Sequence, residues 1–282
     1  MDNAEFNKYK KQISELRDSK CRIKNEKKCL DFLSKVNFYR ILPYVTALTS
    51  SCDEYVEFKR VQRVYDFDSR MRPLIYEAIQ DTELFLRTKF AYYHSSKYSS
   101  LGYLESKNFS EKHDSGKFKA RIKNVVEVNA NNPIIKRFDD KENLPITVVV
   151  EFFSMNMLST FYADMITENR KKIAGELYHA TSNQVVSWLC CLTDLRNICA
   201  HYSRLYCRQF TSLPIIPKEI NFTANRRLFT QLLSLSFLYP DREKWNNYFV
   251  TTIKTLLDEY ENDIVLNHIG FPQKWENMLR KN

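Results

Sequence analysis

Only four glycines occur in the 282 residues, at positions 102, 116, 175 and 270. Glycine supplies the positive-φ turns of hairpins and the close backbone approach that cradles phosphate, and an average chain uses roughly 7% of it. A chain this poor in glycine disfavours sandwiches, collagen-like repeats and Gly-rich phosphate loops, and no Gly-x-x-x-x-Gly-Lys segment is present. The expectation is an all-α protein. With 44% hydrophobic residues the chain has the material for a large core, either one domain or a domain with an appended module.

Apolar spacing places the helices. Charged helical patterns run from Glu5 to Leu16 and from Asn25 to Leu33, with Asn25 as N-cap. Phe58 to His94 repeats apolar residues at three and four positions, and Pro73 predicts a kink or break between Asp68 and Pro73. Residues 95 to 108 read as a loop, followed by a helix from Ser110 to Val128. Ile146 to Phe161 keeps helical spacing throughout, and further helices are expected over 167–178, from 183 past 201 with Ser182 as N-cap, over 225–239 and 242–267, and from Pro272. Three segments follow: a basic N-terminal part (1–57), a helical core (58–212) and a C-terminal extension (213–282).

The net charge of +9 favours polyanionic partners, and between Lys8 and Lys28 nine Lys or Arg face three acidic residues. Seven scattered cysteines without paired spacing suit a reducing compartment. No apolar run reaches the roughly 18 residues of a membrane span, and the start lacks a signal-peptide pattern, so a cytoplasmic protein without membrane contact is expected.

The chemistry concentrates between Ser182 and Phe210. Trp188, Leu192, Leu195, Cys199, Tyr202 and Tyr206 trace an apolar stripe, while Asn197, His201, Arg204 and Arg208 project oppositely if the helix persists. Asp194 lies at the edge of that polar stripe and Arg196 between the faces. An imidazole exchanges protons near neutral pH and a guanidinium grips phosphate oxygens, which is what RNA cleavage by the ribose 2′-OH requires. A zinc site from Cys190, Cys191, Cys199, His201 and Cys207 fails on spacing, and Cys199 and His201 diverge too far on a helix to act as a nucleophile pair. No metal or other cofactor is expected.

Arg196-Asn197-Ile198-Cys199-Ala200-His201 resembles the Arg, Asn, three residues, His signature of HEPN ribonucleases, and Arg196 to Arg208 resembles more narrowly the Abi-like (AbiD/AbiF type) abortive-infection proteins. Val36-Asn37-Phe38-Tyr39-Arg40 is similar to that family's early Asn-Tyr-Tyr-Arg segment. Tyr65-Asp66-Phe67-Asp68 with Arg72, Glu83 and Arg87 is similar to its central helix, and Leu144-Pro145 with Glu151 to its Leu-Pro-x-Trp segment. Thr147 and Tyr206 replace common Trp residues and Tyr202 a common His.

The resemblance spans roughly residues 20 to 212. It implies a HEPN-like helical bundle with additional terminal helices, working as a homodimer whose two motif helices build one metal-independent endoribonuclease site for antiphage defence. In that reading Arg196, Asn197 and His201 are catalytic, with Arg204 and Arg208 on flanking phosphates and Glu83, Arg87 and Asp194 in support. A structured small non-coding RNA is a further implied partner, for which Lys117, Lys119, Arg121 and Lys123 are candidate contacts. The alternative is a non-catalytic RNA-binding or scaffold protein of the same fold.

Overall fold

A computed structural model describes residues 3–50 and 55–280, with side chains from residue 8 onward; Met1, Asp2 and Cys52 lie outside the described residues. The fold is all-helical. Its one sheet among the described residues pairs two-residue parallel strands, Cys21–Arg22 with Val56–Glu57.

The N-terminal part forms α1 (Asn3–Asp18), α2 (Glu26–Lys35) and α3 (Phe38–Thr49). Asn25 caps α2 as expected, its Oδ1 accepting the Lys28 N–H at 3.0 Å. Next comes α4 (Phe58–Tyr98), 41 residues and about 60 Å long. It runs unbroken through Pro73, although the missing N–H there leaves the Ser69 carbonyl without its helical partner. Val61, Val64, Phe67, Met71, Ile75, Ile79, Leu86 and Phe90 bury one long face, and the rest of the molecule is laid along it.

Several helices differ from the spacing-based expectation. Helix α5 (Ser115–Val128) begins five residues late, because Asp114 caps it while the Ser110 N–H donates to the Asp164 carbonyl at 2.8 Å. Ile146–Phe161 is not one helix: a turn over Ile146–Val149 tightens through Val150–Phe152 and opens at Phe153 (φ −69°, ψ 131°). Ser154 then caps α6 (Met155–Asp164), accepting the Met157 N–H at 3.3 Å. The buried Phe153 holds the break, since its carbonyl accepts from Arg87 at 2.8 Å.

Helices α7 (Thr167–Tyr178) and α8 (Ser182–Ala200) follow, then a long connector, α9 (Leu228–Leu238) and α10 (Thr251–Glu259). The expected helix over 242–267 is instead a short turn, a π-helical segment over Trp245–Val250 and α10, ending near Tyr260. Arg280 donates to the Asn246 carbonyl of the π segment at 2.8 Å. The last helix is Trp275–Leu279, after Gly270 at φ 78°.

Helix α8 is the centre, packed against α4, α6, α7 and α9. Helix α9 is buried almost throughout because it lies between α8, α4 and the final helix. Residues of the N-terminal, central and C-terminal segments share one continuous apolar cluster. Among the described residues no helix is long and apolar enough to cross a membrane.

Candidate functional site

Helix α8 opens on a capping box one residue before the expected N-cap Ser182. The cap is Thr181, whose Oγ1 accepts the Gln184 N–H at 3.3 Å, while the Thr181 N–H donates to Gln184 Oε1 at 2.9 Å. From there Trp188, Leu192, Leu195 and Cys199 face the core, as their spacing predicted. The opposite face stays open, with Cys190, Asn197 and His201 exposed.

The helix does not continue past residue 201. It ends at Ala200, with His201 as C-cap and Tyr202 in the left-handed region at φ 53°. The Tyr202 N–H donates to Cys199 O at 3.1 Å and the Ser203 N–H to Ile198 O at 3.0 Å, a Schellman closure built without glycine. A bulky residue in this conformation costs about 1–2 kcal/mol, and tertiary hydrogen bonds impose it. The carboxylate of Asp68, wholly buried on α4, accepts the N–H groups of Leu205 at 2.7 Å and Tyr206 at 3.1 Å and the Tyr44 hydroxyl at 2.8 Å. Arg40 donates to Tyr202 O at 2.9 Å and Arg72 to Ser203 O at 3.4 Å. Burial pushes the Asp68 carboxyl above its usual range, against the opposing pull of these donors and of Arg72, 3.8 Å away.

Two expectations fall with the helix end. Tyr202 is 70% exposed and leaves the apolar stripe, and Tyr206, though buried, is off the helix. Arg204 and Arg208 are therefore not on one helical face with Asn197 and His201, yet the turn keeps them close to each other. Arg204 donates to Tyr206 O at 2.7 Å. Burial lowers the Arg208 guanidinium from the usual arginine range, the Arg204 charge adds to that, and Asp194 opposes it. Two cations under mutual repulsion, with Arg208 Nε–H lacking a hydrogen-bond partner, form a place where an anion lowers the energy.

Around the motif, Arg196 Nη1 lies 3.4 Å from Asn197 Oδ1 and its Nε–H is buried without a partner. Asn197 thus meets Arg196 within the chain, and the His201 ring makes no hydrogen bond among the described residues. Asp194 accepts the Ser212 N–H at 2.8 Å, fastening the connector back onto α8. Burial pushes the Cys199 thiol up to about 12, which leaves it no nucleophile at neutral pH. Among the described residues no three His, Cys, Asp or Glu side chains converge as metal ligands would.

The remaining candidates lie elsewhere. Glu83 and Arg87 pair at 2.6 Å, and Arg87 spends its other hydrogen bond on Phe153 O, so the pair fastens α4 to the 150–153 turn. It begins about 16 Å along α4 from Arg72. Lys117, Lys119, Arg121 and Lys123 are exposed on α5, with Lys117 paired to Asp114 at 3.0 Å and Lys123 to Glu127 at 3.9 Å. Conversely, Arg40, Tyr44, Asp68 and Arg72 do shape the motif's turn. Their signal in the sequence was an Asp and an Arg four apart on an otherwise apolar face of α4.

No curated protein and no solved structure matches the chain. The model of one family, described as Abi-like protein, matches residues 31–207, more than half of the length and including every residue of the turn and motif just described up to Cys207. The chain belongs to the Abi-like protein family.

Proposed function

We propose that this protein is a metal-independent endoribonuclease of the HEPN type, with its site at the C-terminal end of α8. Membership in the Abi-like family supports a role in abortive infection, the defence of a bacterial population against phage. The observation that carries the chemistry is the exposed His201 at the end of the helix that also carries Arg196, with Arg204 and Arg208 close to each other in the segment that follows.

In the reaction, one imidazole removes the proton from a ribose 2′-OH and that oxygen attacks the adjacent phosphorus. The 5′-oxygen of the next nucleotide leaves with a proton from a second imidazole, giving a 2′,3′-cyclic phosphate and a 5′-hydroxyl. Arg196 stabilises the charge that builds on the phosphorane, and Asn197 holds the Arg196 head. Arg204 and Arg208 bind flanking phosphates. A single chain carries one such His, so the second comes from a copy of the chain docked on the open face of α8, where Cys190, Asn197 and His201 are exposed. A structured RNA partner on the basic face of α5 belongs to the same reading.

Labelled RNA incubated in EDTA with wild type and with His201→Ala tests this. Wild type cuts, and the variant loses at least about 100-fold in rate while still binding RNA. Equal cutting by both overturns the assignment. The absence of a hydrogen-bond partner for the His201 ring among the described residues favours a second reading, an RNA-binding scaffold, for which wild type binds RNA and cuts none.

A further inference from the structure

Beside the motif is a cleft of about 290 Å³, walled by Arg72, Pro73 and Tyr76 of α4 and by Cys199, Ala200 and Tyr202 of the α8 terminus. It lies at the same helix terminus as His201, whose side chain is not among its walls, and is just below the roughly 300–1,000 Å³ of small-molecule pockets. Three observations define what suits it. Tyr202 is 70% exposed, its ring free of aromatic neighbours among the described residues, while its backbone is pinned by Arg40. Tyr76 is half-buried on the opposite wall. Arg72 is 5% exposed, and its Nε–H has no hydrogen-bond partner, although Ser69 Oγ accepts from its Nη2 at 3.0 Å.

Arg72 brings positive charge to one wall of the cleft, which suits the electronegative edge of a ligand, and exposed aromatic faces ask for a flat ring. We propose that this cleft is a nucleobase subsite, which takes one unpaired base of the RNA next to the scissile phosphate. The base stacks on Tyr202 and turns its carbonyl or ring-nitrogen edge toward the wall that carries Arg72. A paired base cannot enter, because its edge and both faces are occupied in the duplex, so the subsite selects single-stranded or looped RNA. The proposal rests on the ribonuclease reading for its position beside the cut, and it assigns Tyr202 and Arg72 to binding, not to proton transfer.

The test uses the full chain in a His201→Ala background, so that RNA survives, and measures fluorescence anisotropy of a labelled single-stranded oligoribonucleotide and of its duplex. Adding Tyr202→Ala weakens single-strand binding roughly 5- to 100-fold, Tyr202→Phe retains most of it, and duplex binding is unchanged. Arg72 is left intact because it also holds the turn. Indifference to Tyr202→Ala overturns the subsite. So does a shift of sedimentation coefficient by Tyr202→Ala, which marks the cleft as covered by a second copy. Wild-type cleavage in EDTA is scored separately. Cutting with an indifferent Tyr202 removes the subsite and leaves the nuclease reading, Tyr202-dependent binding without cutting does the reverse, and no RNA binding at all removes both.

Discussion

Tyr202 holds a backbone conformation that glycine adopts without cost, and its ring gains little burial in return. Replacing it with Gly relieves about 1–2 kcal/mol of left-handed strain and returns roughly 0.5–1 kcal/mol through the freer unfolded chain. The expected outcome is stability unchanged or raised by up to about 1.5 kcal/mol in urea unfolding, with RNA affinity reduced. A clear loss of stability contradicts the view that Tyr202 is kept for a contact outside the fold. His94 is the opposite case. It is 2% exposed among Tyr98, Phe109 and Phe161, neither ring nitrogen has a well-formed hydrogen bond, and burial pushes it down to about 4, with the Gly102 carbonyl opposing. The unfolded chain therefore binds a proton that the folded chain refuses between pH 6.5 and about 4. Stability present above pH 6.5 falls by about 3 kcal/mol as pH drops through that window. Urea titrations across the range check this, and His94→Phe flattens the dependence.

At the scale of elements, the end of α8 is set from a distance. Asp68 on α4 caps the turn after the motif, and Asp68→Ala strands two N–H groups, the Tyr44 hydroxyl and the Arg72 charge in the core. The expected loss is about 3–5 kcal/mol in denaturant unfolding, while a loss under 1 kcal/mol means that water replaces the carboxylate. This dependence explains what the sequence made legible. Helices α2 and α7 follow from local spacing, and their bounds were readable to within two residues, as was the α8 stripe from Trp188 to Cys199 but not its continuation to Tyr202 and Tyr206. The termination at Ala200 carries no glycine or proline signal, since partners more than a hundred residues away impose it. Ile146–Phe161 likewise has helical periodicity on both sides of a break that Arg87 and the Ser154 cap decide. In the site, Arg196, Asn197 and His201 were visible as a motif, whereas the nearness of Arg204 to Arg208 arises from a turn and not from helical geometry.

Over the whole molecule, the C-terminal segment is part of the structure that presents the motif. Arg63 pairs with Asp263 at 2.9 Å and lies 4.1 Å from the Tyr260 ring centre, Arg60 donates to the Asp263 carbonyl, and Arg70 pairs with Glu259. On the far side Tyr239 and Lys244 hold Asp81 at 2.6 and 2.8 Å. Trp188 of α8 donates to the Ile215 carbonyl at 2.9 Å, so the connector also closes onto the motif helix. These ties use several arginines of α4, while Lys117 and Lys123 of α5 stay exposed in pairs with neighbouring carboxylates and the charges of Arg204 and Arg208 repel each other after α8. In the proposed function, the excess of +9 favours the RNA. The account stands on what that polyanion undergoes at His201. Its most direct test is end-group analysis of RNA treated with the purified full chain in EDTA. It predicts fragments ending in 2′,3′-cyclic phosphate and beginning with 5′-hydroxyl, absent with His201→Ala. Intact RNA, or fragments carrying 5′-phosphate, would contradict it.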